Sequence, residues 1–207
     1  MTEAEARATP VLAVLLSGGG RTLANLIGCS QSGELPARIG VVVSSVADAG
    51  GLEIARQAGI AAATVIRKDF DSDLAYSHAI FSAIAPYDPV LVILAGFLRK
   101  IVVPPEWEGR ILNIHPALLP EMALASGRGF YGDRVHRAVL DSGQRVSGAT
   151  VHLVDNGYDT GPVYLRQTVP VEPGDTVESL AARVFAAECE LYPRAIAAYL
   201  KESGVEK

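Results

Sequence analysis

The sequence predicts an α/β fold: one domain on a mostly parallel sheet flanked by helices, with an antiparallel addition in its C-terminal half. Three observations predict it. Short, near-continuous apolar runs alternate with helical stretches through the first 120 residues, the mark of buried parallel strands joined by crossover helices. Beyond residue 120 the period changes, and "GATVHLVD" alternates in the manner of a half-buried strand. With 49% hydrophobic and 20% charged residues, 207 residues suffice for one such core and not for two large ones.

Taken in order, residues 1–10 form a polar, flexible tail without the apolar segment of a secretory signal. "VLAVLL" (11–16) is the first strand, "SGGGRT" a turn, and "LANLIGCSQSG" a helix. "RIGVVVSS" (38–45) is the second strand, and "GGLEIARQAGI" a helix closed by Gly59. "AATVI" is a third strand, followed by an amphipathic helix in "DSDLAYSHAIFSAIA" (71–85), which Asp71 or Ser72 can cap. "PVLVILAGF" is a fourth. "ILNIHPALLP" (111–120) is a buried strand that ends by presenting Asn113 and His115 and then stops at Pro116.

The second half continues with a loop, "EMALASGRG", and a helix in "YGDRVHRAVLDSG". "GATVHLVD" and "VYLRQTVPV", joined by "NGYDTGP", suggest an antiparallel pair that closes the sheet. The last helix, in "GDTVESLAARVFAAECELYPRAIAAYLKE", opens with a capping-box spacing from Asp175 to Glu178. Pro193 is expected to kink or divide it. The arrangement is Rossmann-like.

Several function classes fall away. A net charge of -5 and a pI near 5.4 disfavour a nucleic-acid-coating surface. Cys29 and Cys189 are far apart in sequence and suit neither a disulfide scaffold nor a zinc site, which points to the reducing cytoplasm. No apolar run approaches the roughly 20 residues of a membrane helix. A homodimer is possible, though nothing in the sequence requires one.

Ligands of open parallel sheets collect at the carboxyl ends of the strands. The turn Gly18, Gly19, Gly20, Arg21, Thr22 lies at such an end, where a helix N-terminus can receive an anion on main-chain N–H groups. A dinucleotide fingerprint would need a third glycine and an acidic end to the second strand. That strand ends in Ser44 and Ser45. A nucleotide-triphosphate loop would need Gly-Lys-Ser/Thr, which is absent. A monophosphate cradle and a plain tight turn remain.

Of four histidines, His78 and His136 fall on amphipathic helices and suit surface or packing roles, and His152 suits a satisfied structural position in a strand. His115 differs, standing beside Asn113 at the ligand-bearing end of the sheet. An imidazole moves protons and an amide N–H stabilises an oxyanion. Asp159, on a glycine-flanked loop, is the best carboxylate to orient that imidazole. A purely structural ion pair is the alternative.

In series, "LLSGGGRTLANLI", "AGGLEIARQAGI", "ILAGFLRKI", "RILNIHPALLP", "SGATVHLVDNGYDTGPVYLRQTVPV" and "RVFAAECELYP" resemble the folate-dependent formyltransferases in that family's order, over nearly the whole chain after the tail. The resemblance implies that family's fold, and transfer of a formyl group from 10-formyltetrahydrofolate to glycinamide ribonucleotide in purine synthesis, without a metal. It makes Asn113, His115 and Asp159 the catalytic trio, Gly18 to Thr22 the phosphate loop and Glu188 the ribose-binding acid. It places Phe97, Leu98, Arg99, Lys100 and Ile101 on one wall of the folate pocket, with Asp155, Asn156, Gly157, Tyr158 and Asp159 on the other and Asn113 between. Residues 11–110 would then be the ribonucleotide half, and 111–207 the catalytic and folate half.

The chain departs from the family pattern in three places. Arg21-Thr22 replaces a common Ser-Asn, Cys189 replaces a common His, and the stretch before Gly127 is longer than usual. Two other activities fit the same scaffold: formyltetrahydrofolate hydrolysis and formyl transfer to a different amine. A non-catalytic ribonucleotide- or folate-binding protein is the rival from another class.

Overall fold

Strands made only of Val, Leu, Ile and Ala need cover on both faces, and here they lie at the centre of the sheet. The computed structural model describes residues 9–120 and 132–204; the predicted loop "EMALASGRG" and most of the N-terminal tail fall outside them. The strands are β1 (Val11–Leu16), β2 (Arg38–Ser44), β3 (Ala61–Thr64), β4 (Leu91–Leu94), β5 (Ile111–His115), β6 (Val146–Leu153) and β7 (Val163–Pro170). The helices are α1 (Arg21–Ser32), α2 (Gly50–Gln57), α3 (Asp73–Ile84), α4 (Asp133–Asp141) and α5 (Val177–Glu202).

The sheet order is β3-β2-β1-β4-β5-β6-β7. The first five strands are parallel, and β6 and β7 add antiparallel, as predicted. Alternate β1 residues feed two cores. Leu12, Val14 and Leu16 pack with α1, α2, α4 and α5, while Ala13 and Leu15 pack with Tyr76, Ile80, Phe81 and Ile84 of α3. Ser72 caps α3, its hydroxyl accepting from Ala75 N at 3.1 Å.

Two predictions about α5 need correction. The capping box lies one residue later than the Asp175 to Glu178 spacing, with Thr176 as cap and Ser179 returning the hydrogen bond. Asp175 is drawn elsewhere: it accepts from Glu172 N and Ser179 Oγ and forms a two-armed pair with Arg183. Those donors hold its carboxyl well below the usual range. Nor does Pro193 divide the helix, which runs unbroken for 26 residues. Next to it, the buried Tyr192 hydroxyl sits 3.0 Å from Leu94 O and 2.9 Å from Leu112 O, tying α5 to the end of β4 and the start of β5. No helix among the described residues is long and apolar enough to cross a membrane.

Candidate active site

The carboxyl ends of β1, β4 and β5 open on one side of the sheet, beside the point where the strand order reverses between β1 and β4. At the end of β1, Gly20 takes φ 82° as the cap of α1, and no side chain caps the helix. A Cβ on Gly20 would lie 2.5 Å from Gly51 Cα, so glycine there lets the turn pack against α2. Cβ atoms on Gly18 or Gly19 would meet nothing within 4 Å. The first turn of α1 holds no acidic residue, which leaves its positive end uncompensated and facing that open space.

At the end of β5, Asn113 pairs with His152 across the antiparallel ladder, and His115 with Thr150. Pairing puts Asn113, His115 and His152 on one face of the sheet. Asp159 arrives from the β6–β7 loop with φ 56°, left-handed backbone that few non-glycine residues adopt. Its Oδ2 lies 3.6 Å from His115 Nδ1 and its Oδ1 lies 3.6 Å from His152 Nε2. Both histidines are buried. Asn113 Nδ2 is 3.1 Å from His152 Nε2 and 3.5 Å from Asp159 Oδ1.

The tautomer of His152 follows from its other nitrogen. Nδ1 lies 2.8 Å from Leu153 O, a carbonyl that only accepts, so Nδ1 carries the proton. Nε2 is the nitrogen that meets the Asn113 amide, at 3.1 Å. The second N–H of that amide makes only the long contact to Asp159, and an entering carbonyl oxygen can take it.

A family model described as formyl transferase matches residues 11–196. The chain belongs to the formyl transferase family. It is 40% identical over 188 residues to the phosphoribosylglycinamide formyltransferase of Escherichia coli, covering 89% of this chain and 84% of that one. It is 38% identical over 187 residues to the trifunctional purine biosynthetic protein adenosine-3 of Bos taurus, of which it spans 18%. Its backbone matches the crystal structure of phosphoribosylglycinamide formyltransferase from Brucella melitensis with a TM-score of 0.81 and 42% identity, covering 92% of this chain and 95% of that one.

In this formyl transferase the two segments expected to form the folate walls are joined to each other. Asn156 Oδ1 accepts from Val103 N at 2.9 Å, and Lys100 Nζ stands 5.6 Å from the centroid of the Tyr158 ring. Asp155 shapes its loop by accepting from Gly157 N at 2.8 Å and Thr160 Oγ1 at 2.7 Å. On the other wall, Leu98 N donates to Ser17 Oγ at 2.8 Å, and Ser17 reaches Ser45 at 2.7 Å. Leu98 and Arg99 are exposed, Phe97 and Lys100 half-buried, and Ile101 is buried in the α3 core. The Ile101 side chain is therefore packed away from any ligand.

Glu188 stands half-buried on α5, and burial pushes its carboxyl up to about 7 against the pull of Arg21. His78 is exposed and His136 buried on their helices, as predicted. Burial lowers His136 below the usual histidine range. His152 is buried and hydrogen-bonded through both ring nitrogens, as expected of a satisfied structural position, and it also touches both Asn113 and Asp159. Only the β5–β6 register, which a single strand's pattern does not carry, brings it there.

Proposed function

We propose that this protein transfers the formyl group of 10-formyltetrahydrofolate to the amino group of glycinamide ribonucleotide, a step of purine synthesis. The observation that carries the proposal is the convergence of Asn113, His115 and His152 on Asp159 beside an uncapped helix end. Family membership and the names of the relatives support it.

Both folate and ribonucleotide are substrates here. The turn Gly18 to Thr22 receives the phosphate on main-chain N–H groups, and Glu188 accepts hydrogen bonds from the ribose hydroxyls. Residues Phe97 to Ile101 and Asp155 to Asp159 flank the folate ring. The neutral amine attacks the formyl carbon, forming a C–N bond as the carbonyl electrons move onto oxygen. Asn113 donates its second N–H to that oxygen, and His115, protonated, donates another hydrogen bond. Asp159 stabilises positive charge on the imidazole, as a carboxylate within ion-pair reach does. Collapse breaks the bond to the folate nitrogen. The proton lost by the amine passes to that nitrogen, with Asp159 and His115 placed to relay it.

His152 orients Asn113 by accepting its first N–H. Free Cys29 and Cys189 suit a reducing, cytoplasmic setting. The test is to mix the protein with 10-formyltetrahydrofolate, with and without glycinamide ribonucleotide, and follow folate absorbance. Amine-dependent turnover is expected. Turnover without the amine would make the protein a hydrolase, and binding without turnover a non-catalytic binding protein.

A further inference from the structure

Pro193 sits in mid-helix without an N–H to donate. In an α-helix that donor would serve the carbonyl four residues earlier, which here is Cys189 O. The carbonyl is not left unmet: Asn25 Nδ2 of α1 donates to it at 2.9 Å. The side chain that keeps α5 intact at its proline therefore belongs to the helix that begins at the phosphate turn.

Helical spacing extends that bond into the site. Arg21 lies four residues before Asn25 on α1, and Phe185 four residues before Cys189 on α5, so each pair shares a helix face. The pairs meet as two rungs. At the second rung the Arg21 guanidinium carbon lies 3.7 Å from the centroid of the Phe185 ring. Glu188, three residues after Phe185, shares that face of α5 and feels the charge of Arg21. Stacking holds the guanidinium while leaving its in-plane N–H edge free, the geometry that binds a phosphate through two parallel hydrogen bonds.

We infer that Arg21 is a side-chain arm of the phosphate site, positioned by Phe185 and by the Asn25–Cys189 bond that Pro193 makes available. The inference rests on the ribonucleotide reading above and adds a specificity device to it. Main-chain N–H groups at the turn hold the phosphate, and Arg21 adds discrimination for its charge. Phe185 and Asn25 are positioning residues.

The experiment compares calorimetric affinities for glycinamide ribonucleotide and for its dephosphorylated ribonucleoside. The ratio of the two is the phosphate discrimination. Arg21→Met should lower that ratio about tenfold or more, the value of a charge-assisted hydrogen bond. Phe185→Ala should lower it as well, Phe185→Tyr should preserve it, and the Arg21→Met/Phe185→Ala double variant should be no worse than Arg21→Met alone. Asn25→Leu should lower both the ratio and Tm, and its Tm loss should shrink in a Pro193→Ala background, where the helix regains its own donor.

An unchanged ratio in Arg21→Met, with wild type still preferring the ribonucleotide, overturns the inference alone. So does additivity of the Arg21 and Phe185 changes, or an equal Tm cost of Asn25→Leu in both backgrounds. Wild-type protein with no preference for the phosphorylated ligand overturns the phosphate reading itself, and the inference with it.

Discussion

Where β1 ends, the proposed site is built mostly of main chain; where β5 and β6 end, it is built of side chains. The turn from Gly18 to Gly20 offers backbone N–H groups, with open space beside Gly18 and Gly19, whereas Asn113, His115, His152 and Asp159 meet through their functional groups. The first design rests on the glycines, with Arg21 as the one side-chain arm proposed to add to it. The second design tolerates neither a changed group nor a shifted strand. A one-residue slip of β6 would turn His152 away from Asn113.

The largest expected effect belongs to the side-chain end. Asp159→Asn should cut kcat by about a hundredfold or more, in the range of a lost acid–base partner. Asn113→Ala should cost a similar factor, about that of one oxyanion donor. Ribonucleotide affinity should change little in either. Steady-state kinetics paired with calorimetry checks both variants. Near-normal turnover combined with weakened ribonucleotide binding would erase the distinction between the two ends.

At the main-chain end, two glycines separate binding from folding. Gly19→Val places its side chain where the structure has nothing within 4 Å. It should weaken ribonucleotide binding by on the order of tenfold, through loss of a charge-assisted hydrogen bond, with Tm unchanged. Gly20→Val must also displace Gly51 and abandon φ 82°, so Tm should fall as well. Equal Tm losses would mean that Gly19 too is a folding residue, and unchanged ribonucleotide affinity in Gly19→Val would mean that the open space beside it has no role in binding.

The same contrast explains what could be read in the chain. The succession of strands and helices through β4, the glycine turn and the Asn113–His115 pair were legible because each depends on local period or spacing. Apolar runs declared the parallel sheet, and Ser72 announced α3. Illegible features depend on pairing between distant segments. His152 enters the site only through its partner across β5 and β6, and the cap of α5 moved one residue because Arg183, eight positions on, claims Asp175. Pro193 looked like a break because its compensating donor is Asn25, 168 positions earlier in the numbering.

Glu188 lies between the two designs, a side chain facing the main-chain end, and its pH dependence gives a smaller test. Burial raises its carboxyl from 4.5 to about 7, so the fold favours the neutral form. The folded state binds the proton more tightly than the unfolded chain. The penalty therefore builds as pH rises from about 4.5 to about 7 and is complete above that. Glu188→Gln should gain Tm over wild type at pH 8.5, less at pH 5.5 and little at pH 4. Ribonucleotide affinity should move the opposite way, because ionised Glu188 is the better acceptor for ribose hydroxyls. A Tm gap independent of pH would show that the carboxyl does not titrate in this range.

The smallest effect concerns the contact that joins the two proposed folate walls. Lys100 Nζ over the Tyr158 ring, at 5.6 Å, links the segment after β4 to the catalytic loop, so it couples one end of the site to the other. An exposed cation–π contact contributes about 0.5–1 kcal/mol, which corresponds to about a two- to fivefold effect. Lys100→Met keeps the aliphatic stem and removes the charge. It should raise KM for 10-formyltetrahydrofolate by that factor while leaving kcat and ribonucleotide affinity near wild type. Tyr158→Leu should do the same, and the double variant should be no worse than either single one, because each removes the same contact. A folate lacking its glutamate tail sharpens the result. If the Lys100→Met effect vanishes with that donor, the lysine acts on the tail's carboxylates and the bridge between the walls has no energetic role. If the effect persists, the catalytic loop is held in part from the β4 side, and the two ends of the site are mechanically one.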